Sequence, residues 1–140
     1  MKPDKTEIAR RFTQAIPYAK ALGMSFTLIE DGKAEMQMPF DERLIGDPER
    51  GVIHGGAVSA LLDTCCGAAV ISHPDNPGAT ATIDLRIEYM RAATPGQAIR
   101  ARAECYHITR SVAFVRATAL DDDDDNPVAT ASGSFTVDGK

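Results

Sequence analysis

The chain has 140 residues and a mass of 15.0 kDa, close to one domain, with 44% hydrophobic and 25% charged residues, which excludes disordered, collagen-like and coiled-coil classes. Fifteen Lys and Arg against 20 Asp and Glu leave a net charge of -5 and an isoelectric point near 5.1, so no broad nucleic-acid-binding surface is expected. The three cysteines, Cys65, Cys66 and Cys105, are odd in number and two are adjacent, which argues against a secreted disulfide framework and for a reducing cytoplasm.

In chain order, residues 1–7 carry charges where a signal peptide needs an apolar core, so no targeting segment is expected. Residues 7–22 place Ile8, Phe12, Ile16 and Ala19 at helical spacing, with Pro17 inside the run, and predict an N-terminal docking helix broken or ended near that proline. Residues 25–40 alternate in short apolar stretches around Asp31-Gly32 and predict a β-hairpin. A loop follows over residues 44–51, with Gly46, Pro48 and Gly51.

Residues 54–73 contain no Lys, Arg or Pro, are dominated by apolar and small side chains, and stop at Pro74; they predict a largely buried central helix of about five turns. Its apolar stretch over residues 57–71 is interrupted by Asp63 and falls short of a membrane span of about 20 residues. After a loop at 74–78, strands are predicted over 79–91, 98–108, 112–120 and 128–137. In the first of these, Ile83, Leu85, Ile87 and Tyr89 alternate with Thr82, Asp84, Arg86 and Glu88, giving one apolar and one polar face. The acidic run at 121–125 is expected to be a solvated loop tip, since adjacent carboxylates repel and lack the alternating spacing of a calcium loop. The order predicts an α+β domain over residues 1–140, an antiparallel sheet wrapped around one helix with an extra N-terminal helix. Its unpaired sheet edges predict a homo-oligomer.

Asp63 stands mid-helix among Leu61, Leu62, Cys65 and Cys66. A carboxylate desolvated there is a candidate acid, base or nucleophile; a structural hydrogen bond or a solvent-facing position is the alternative. Gly51-Val52-Ile53-His54-Gly55-Gly56 leads into the same helix, and glycines at a helix start expose backbone N–H groups to a developing oxyanion. Eight residues from Gly55 to Asp63 span about 12 Å of helix, too far for one site within one helix, so a two-fold partner is expected to complete it. Cys65, Cys66 and His73 are not spaced to clamp one ion and read as core packing, so no metal site is expected.

His54-Gly55-Gly56-Ala57, Leu61-Leu62-Asp63, Thr82-Ile83-Asp84-Leu85 and Tyr89-Met90-Arg91-Ala92 resemble the hotdog-fold acyl-CoA thioesterases of the PaaI-like group, over about residues 46–137. The resemblance implies a hotdog fold assembled as dimers or dimers of dimers and hydrolysis of an acyl or aryl CoA thioester without metal or other cofactor. It implies Asp63 as nucleophile or general base, Gly55 N–H as the carbonyl's polarising donor, and His54 shaping that corner. Gly56 and Thr82 would lie against substrate or water, while Tyr89, Met90, Arg91, Thr109, Arg110 and Ser111 would hold the pantetheine and nucleotide, the two arginines at phosphates. The family's Asn six residues before the His is replaced by Pro48, with Asp47 as a substitute. A hotdog dehydratase or hydratase and a non-catalytic acyl-CoA sensor are the competing functions; neither membrane nor nucleic acid is expected as a partner.

Overall fold

The computed structural model describes residues 4–76 and 78–138, apart from the side chains of residues 12–14; the Phe12 side chain and Pro77 lie outside the described parts. Helix α1 (Lys5–Ala15) starts where the Asp4 carboxylate accepts the Glu7 N–H at 2.8 Å. It ends at Ile16, extended because the next residue is proline, and Pro17 opens α2 (Pro17–Ala21). The expected helix over 7–22 is thus two helices, divided at the proline that marked it.

Strands β1 (Ser25–Glu30) and β2 (Lys33–Met38) form the predicted hairpin across Asp31-Gly32. The stretch read as a loop is more ordered than expected: a 3-10 turn (Glu42–Leu44) leads into β3 (Ile45–Asp47), which pairs with β4 (Val52–Ile53). Then come the central helix α3 (Gly55–Ser72), β5 (Thr82–Tyr89), β6 (Ile99–Ile108), β7 (Val112–Leu120) and β8 (Ala129–Thr136). Six strands make one antiparallel sheet in the order β1-β2-β6-β7-β8-β5. With α3 lying across β2, β6 and β7, this is the hotdog arrangement.

The core explains the composition of α3. Leu61, Leu62, Cys65, Cys66, Ala68, Ala69 and Val70 are all fully buried. The sheet faces them largely with alanines, among them Ala101, Ala113, Ala119 and Ala129, whose small side chains let a helix lie close to the strands. The Cys65 thiol bonds to the carbonyls of Ala34 on β2 and Ala101 on β6, and burial pushes the Cys66 thiol up to about 12, so these sulfurs behave as packing groups. Although α3 is long and apolar enough for a membrane span, most of it is packed inside this sheet.

Strand β5 departs from its predicted two-faced pattern. Leu85 and Ile87 reach the core, but Ile83 is 54% exposed, because β5 is the edge of the sheet and carries a bulge between Thr82 and Asp84. Opposite that bulge, a Cβ on Gly133 would sit 2.3 Å from the Asp84 carbonyl oxygen, so only glycine admits the two backbones so close.

The acidic run is also different from expectation. Asp122 to Asp125 are exposed, but Asp121 is completely buried. Its carboxylate takes a bidentate pair from the Arg91 guanidinium at 2.7 and 2.8 Å, the Thr94 hydroxyl and N–H, and the Asp123 N–H. Buried polar groups demand such partners, and the Arg91 pair above all holds this carboxyl well below the usual carboxylate range. A depressed folded value means the stabilisation is fully present above the unfolded value of about 3.9 and is lost as pH falls below it toward the folded value. Asp121→Asn should cost about 3 kcal/mol at pH 7, by leaving Arg91 unpaired, and should lose less stability than the native chain between pH 5 and pH 2. Urea unfolding of both proteins across that range checks both expectations.

Candidate active site

The His54-Gly55-Gly56 turn is held by both neighbouring elements. His54 donates its backbone N–H to the Leu44 carbonyl at 2.8 Å, and its ring Nδ1 accepts the Gly56 N–H at 2.7 Å as the N-cap of α3. Gly46 on β3 faces this turn so closely that a Cβ there would lie 2.7 Å from the His54 Cα. The His54 carbonyl accepts the Ala57 N–H. Gly56, expected to touch substrate, therefore spends its N–H on His54. Among the described residues, the Gly55 N–H has no acceptor, at the positive end of an 18-residue helix.

Tyr89, expected to contact the pantetheine, lies over this same turn. Its phenol donates to the Gly55 carbonyl at 2.7 Å and also meets the Ser59 hydroxyl, and the ring passes 3.4 Å from where a Gly55 Cβ would stand. Met90 is exposed beside it and shares a shallow pocket with Gly55 and Val58.

Two turns along α3, Asp63 is half-buried rather than sunk in the core, because it projects from the stripe of the helix that the sheet does not cover. The Thr82 hydroxyl, at the start of β5, donates to Asp63 Oδ1 at 2.7 Å. This joins two residues 19 positions apart that were expected to share one site. Both line a groove of about 480 Å³ walled by Ile16, Ile71 and Phe135. The neighbouring Thr64 hydroxyl is turned back onto the Ala60 carbonyl.

The remaining candidates fall into separate places. Asp47 uses Oδ1 to accept the Glu49 and Arg50 N–H groups, closing its own turn. Thr109, Arg110 and Ser111 form the exposed turn between β6 and β7, where the Thr109 hydroxyl bonds to the Val112 backbone. Arg91, expected at a phosphate, has all five guanidinium N–H donors engaged, by Asp121, the Asn126 carbonyl and the Ala92 carbonyl. It is a structural clamp on the acidic turn. Nothing in the sequence near Arg91 signalled this, since Asp121 is 30 residues away.

Within one chain these groups form two clusters. Gly55 and Tyr89 lie at one end of β5, with Thr82 at the other, and seven residue steps along the strand separate Tyr89 from Thr82 by roughly 23 Å. Among the described residues no cluster of His, Cys, Asp or Glu could hold a metal ion.

This arrangement has relatives. Residues 50–128 match the family described as the Thioesterase superfamily. The chain belongs to that superfamily. As a member it is a thioester hydrolase with the hotdog fold. It is 23% identical over 143 residues to the medium/long-chain acyl-CoA thioesterase YigI of Escherichia coli K12, covering 93% of this chain and 91% of that one. A crystal structure of a Pseudomonas aeruginosa protein superposes with a TM-score of 0.84 at 36% identity, covering 95% of this chain and 98% of the other. The PaaI protein from the phenylacetic acid degradation operon of Escherichia coli superposes with a TM-score of 0.83 at 19% identity, covering 95% and 92%, a likeness of fold.

In this thioesterase the close seat of His54 against Gly46 makes a local test. Gly46→Ala forces backbone apart and should cost about 2 kcal/mol of stability, with thioester hydrolysis falling as the His54 turn shifts. Thermal melts and turnover measured on the same preparation check the pairing of the two losses.

Proposed function

We propose that the chain hydrolyses acyl-CoA thioesters to CoA and a free carboxylic acid, with no cofactor, at a site shared between two subunits. The observation that carries this is the Thr82–Asp63 hydrogen bond in the lining of a groove that Ile16, Ile71 and Phe135 share with Arg11 and Thr80. Thr82 occupies Oδ1 and orients the carboxylate, which leaves Oδ2 to act on the thioester. Acting as a base, Asp63 takes a proton from water as the water oxygen bonds to the carbonyl carbon. The tetrahedral oxyanion is held by the Gly55 N–H, and its collapse breaks the C–S bond and releases the CoA thiolate, which is then protonated. Acting as a nucleophile, Asp63 would bond to the carbonyl carbon and expel the CoA thiolate as the C–S bond breaks, leaving an anhydride that water opens to the free acid and the restored carboxylate.

His54 spends Nδ1 on capping α3, which suits a role in shaping the corner more than the proton transfer across a Cα–Cβ bond that a hydratase needs. Arg110, exposed in the β6–β7 turn with Thr109 and Ser111, is the arginine left for a CoA phosphate now that Arg91 is committed. The relationship to YigI supports the CoA ester as substrate. Three buried free thiols suit a reducing cytoplasm.

The shared site follows from distance: Gly55 and Asp63 stand about 12 Å apart along one helix, so the Gly55 N–H and Asp63 facing one carbonyl must come from different copies. The edge strand β5, with Ile83 exposed on it and Met90 exposed just beyond its end, is the surface proposed to pair. Sedimentation at micromolar concentration should give a dimer or a tetramer; a monomer with full turnover would overturn the shared site.

Asp63→Asn keeps size and hydrogen bonding but removes the base. It should lower acyl-CoA turnover by about 10²–10⁴ while the melting temperature is unchanged. Free-thiol release from a panel of acyl-CoAs is the assay, and retention of more than about a tenth of native turnover, a barrier change under about 1.4 kcal/mol, would refute the role of this residue.

A further inference from the structure

Thr82 stands on a face of β5 that simple alternation would deny it. From Asp84 onward the strand is regular: Asp84, Arg86 and Glu88 stand opposite Ser134, Ser132 and Thr130 on the outer face of the sheet. Leu85, Ile87 and Tyr89 stand opposite Gly133, Ala131 and Ala129 on the face toward α3. Carried back with the same period, Thr82 would join Asp84 on the outer face and point away from Asp63. Instead it is paired with the buried Phe135, on the α3 side, and its hydroxyl reaches Asp63 Oδ1 at 2.7 Å. The reversal comes from the bulge between Thr82 and Asp84, which takes up one extra residue of β5.

A bulge interrupts the ladder, and here a side chain makes good the loss. The Ser134 N–H donates to Asp84 Oδ1 at 3.0 Å, and the Ser134 hydroxyl donates to the same oxygen. Gly133, beside Ser134, leaves room for the displaced backbone: a Cβ there would stand 2.3 Å from the Asp84 carbonyl oxygen and 3.0 Å from the Leu85 Cα. Beyond the bulge the ladder resumes at Thr136, whose N–H donates to the Ala81 carbonyl at 2.8 Å and whose hydroxyl accepts the Ala81 N–H at 2.9 Å. The bulge is thus pinned on both sides, in a strand that has a neighbour on one side only. Asp84 itself is exposed, on the opposite face of the sheet from Asp63.

We infer that Asp84 is a positioning residue for the hydrolysis: by holding the bulge it keeps Thr82 turned toward α3, and Thr82 in turn orients the Asp63 carboxylate. The inference rests on the thioesterase site proposed above and adds to it a residue from the far side of the sheet. A shift of one residue in strand register moves a side chain to the other face, so the Thr82–Asp63 contact depends on the extra residue staying where it is. Removing the Asp84 carboxylate leaves the Ser134 N–H without its acceptor and frees β5 to straighten. Asp63 then keeps its place on α3 but loses the donor on Oδ1.

The test is steady-state acyl-CoA hydrolysis followed by free-thiol release, with melting temperature and sedimentation recorded for each variant. Asp84→Ala should lower kcat about tenfold with KM within about twofold of native, because orientation of the carboxylate is lost while the groups that bind substrate are untouched. Asp84→Asn keeps an oxygen that can accept both Ser134 donors and should restore most of the lost kcat. Thr82→Val should lower kcat at least as far as Asp84→Ala does. Adding Asp84→Ala to Thr82→Val should then lower kcat by less than about twofold more, the coupling expected of residues acting through one contact.

An unchanged kcat in Asp84→Ala, no rescue by Asp84→Asn, or an equal loss whether or not Thr82 is present would each overturn the assignment. A loss that comes with a fall in melting temperature or with dissociation would also overturn it, by making Asp84 a residue of stability or assembly. In all these cases turnover by the native protein leaves the hydrolase standing. Absence of turnover by the native protein on every acyl-CoA would overturn the hydrolase, and this assignment with it.

Discussion

The structure depends on one requirement: α3 must be accommodated inside a single sheet with almost no polar side chain to spare. Its buried face is broad, running from Val58 through Leu61, Leu62, Cys65, Cys66, Ala68 and Ala69 to Val70, and the strands that receive it are lined with alanine so that helix and sheet can approach closely. Apolar burial of this extent is the dominant favourable contribution to such a fold. It also determines what is left over. Once the sheet has taken most of the helix, Asp63 and Thr64 are left half-buried on the remaining side, where a carboxylate can be tolerated.

The same requirement places the helix start at the surface. A buried helix still leaves its first N–H groups without intrahelical partners. Here His54 satisfies that of Gly56 through its ring and that of Ala57 through its carbonyl, while Tyr89 secures the first turn from the outside by bonding to the Gly55 carbonyl. Among the described residues the Gly55 N–H is left over, at the positive end of the helix dipole. An electrophilic backbone group and a carboxylate thus sit on one helix at a separation set by its rise, and this separation is what makes a second copy of the chain part of the proposed chemistry.

Charge is handled by pairing wherever it enters the interior. Asp121 is the most buried acid in the described chain, and its position is secured by Arg91, Thr94 and the backbone of its own turn. That clamp joins the end of β7 to the segment after β5 and orders the turn before β8. It also consumes Arg91, so a cation that looks available in the sequence is spent on architecture. Elsewhere charges lie on exposed faces, as with Arg116 over the Tyr106 ring on the outer side of the sheet.

The sequence by itself determined the elements whose signals are local. Asp31-Gly32 marked the hairpin turn, the absence of Lys, Arg and Pro from residues 54–73 marked α3 to within a residue at each end, and Pro17 marked the break between α1 and α2. Periodicity and chain breakers act through neighbours, so they can be read along the chain. Asp63 and the His54-Gly55-Gly56 turn were legible for the same reason, as residue types out of keeping with their surroundings. The tertiary structure alone decided that Asp63 opens on a groove and bonds to Thr82, that Tyr89 covers Gly55, that Asp121 is buried on Arg91, and that Gly46 and Gly133 stand where another backbone passes. Each of these joins residues distant in sequence through packing that depends on the whole sheet, and no local pattern encodes which distant side chain will arrive.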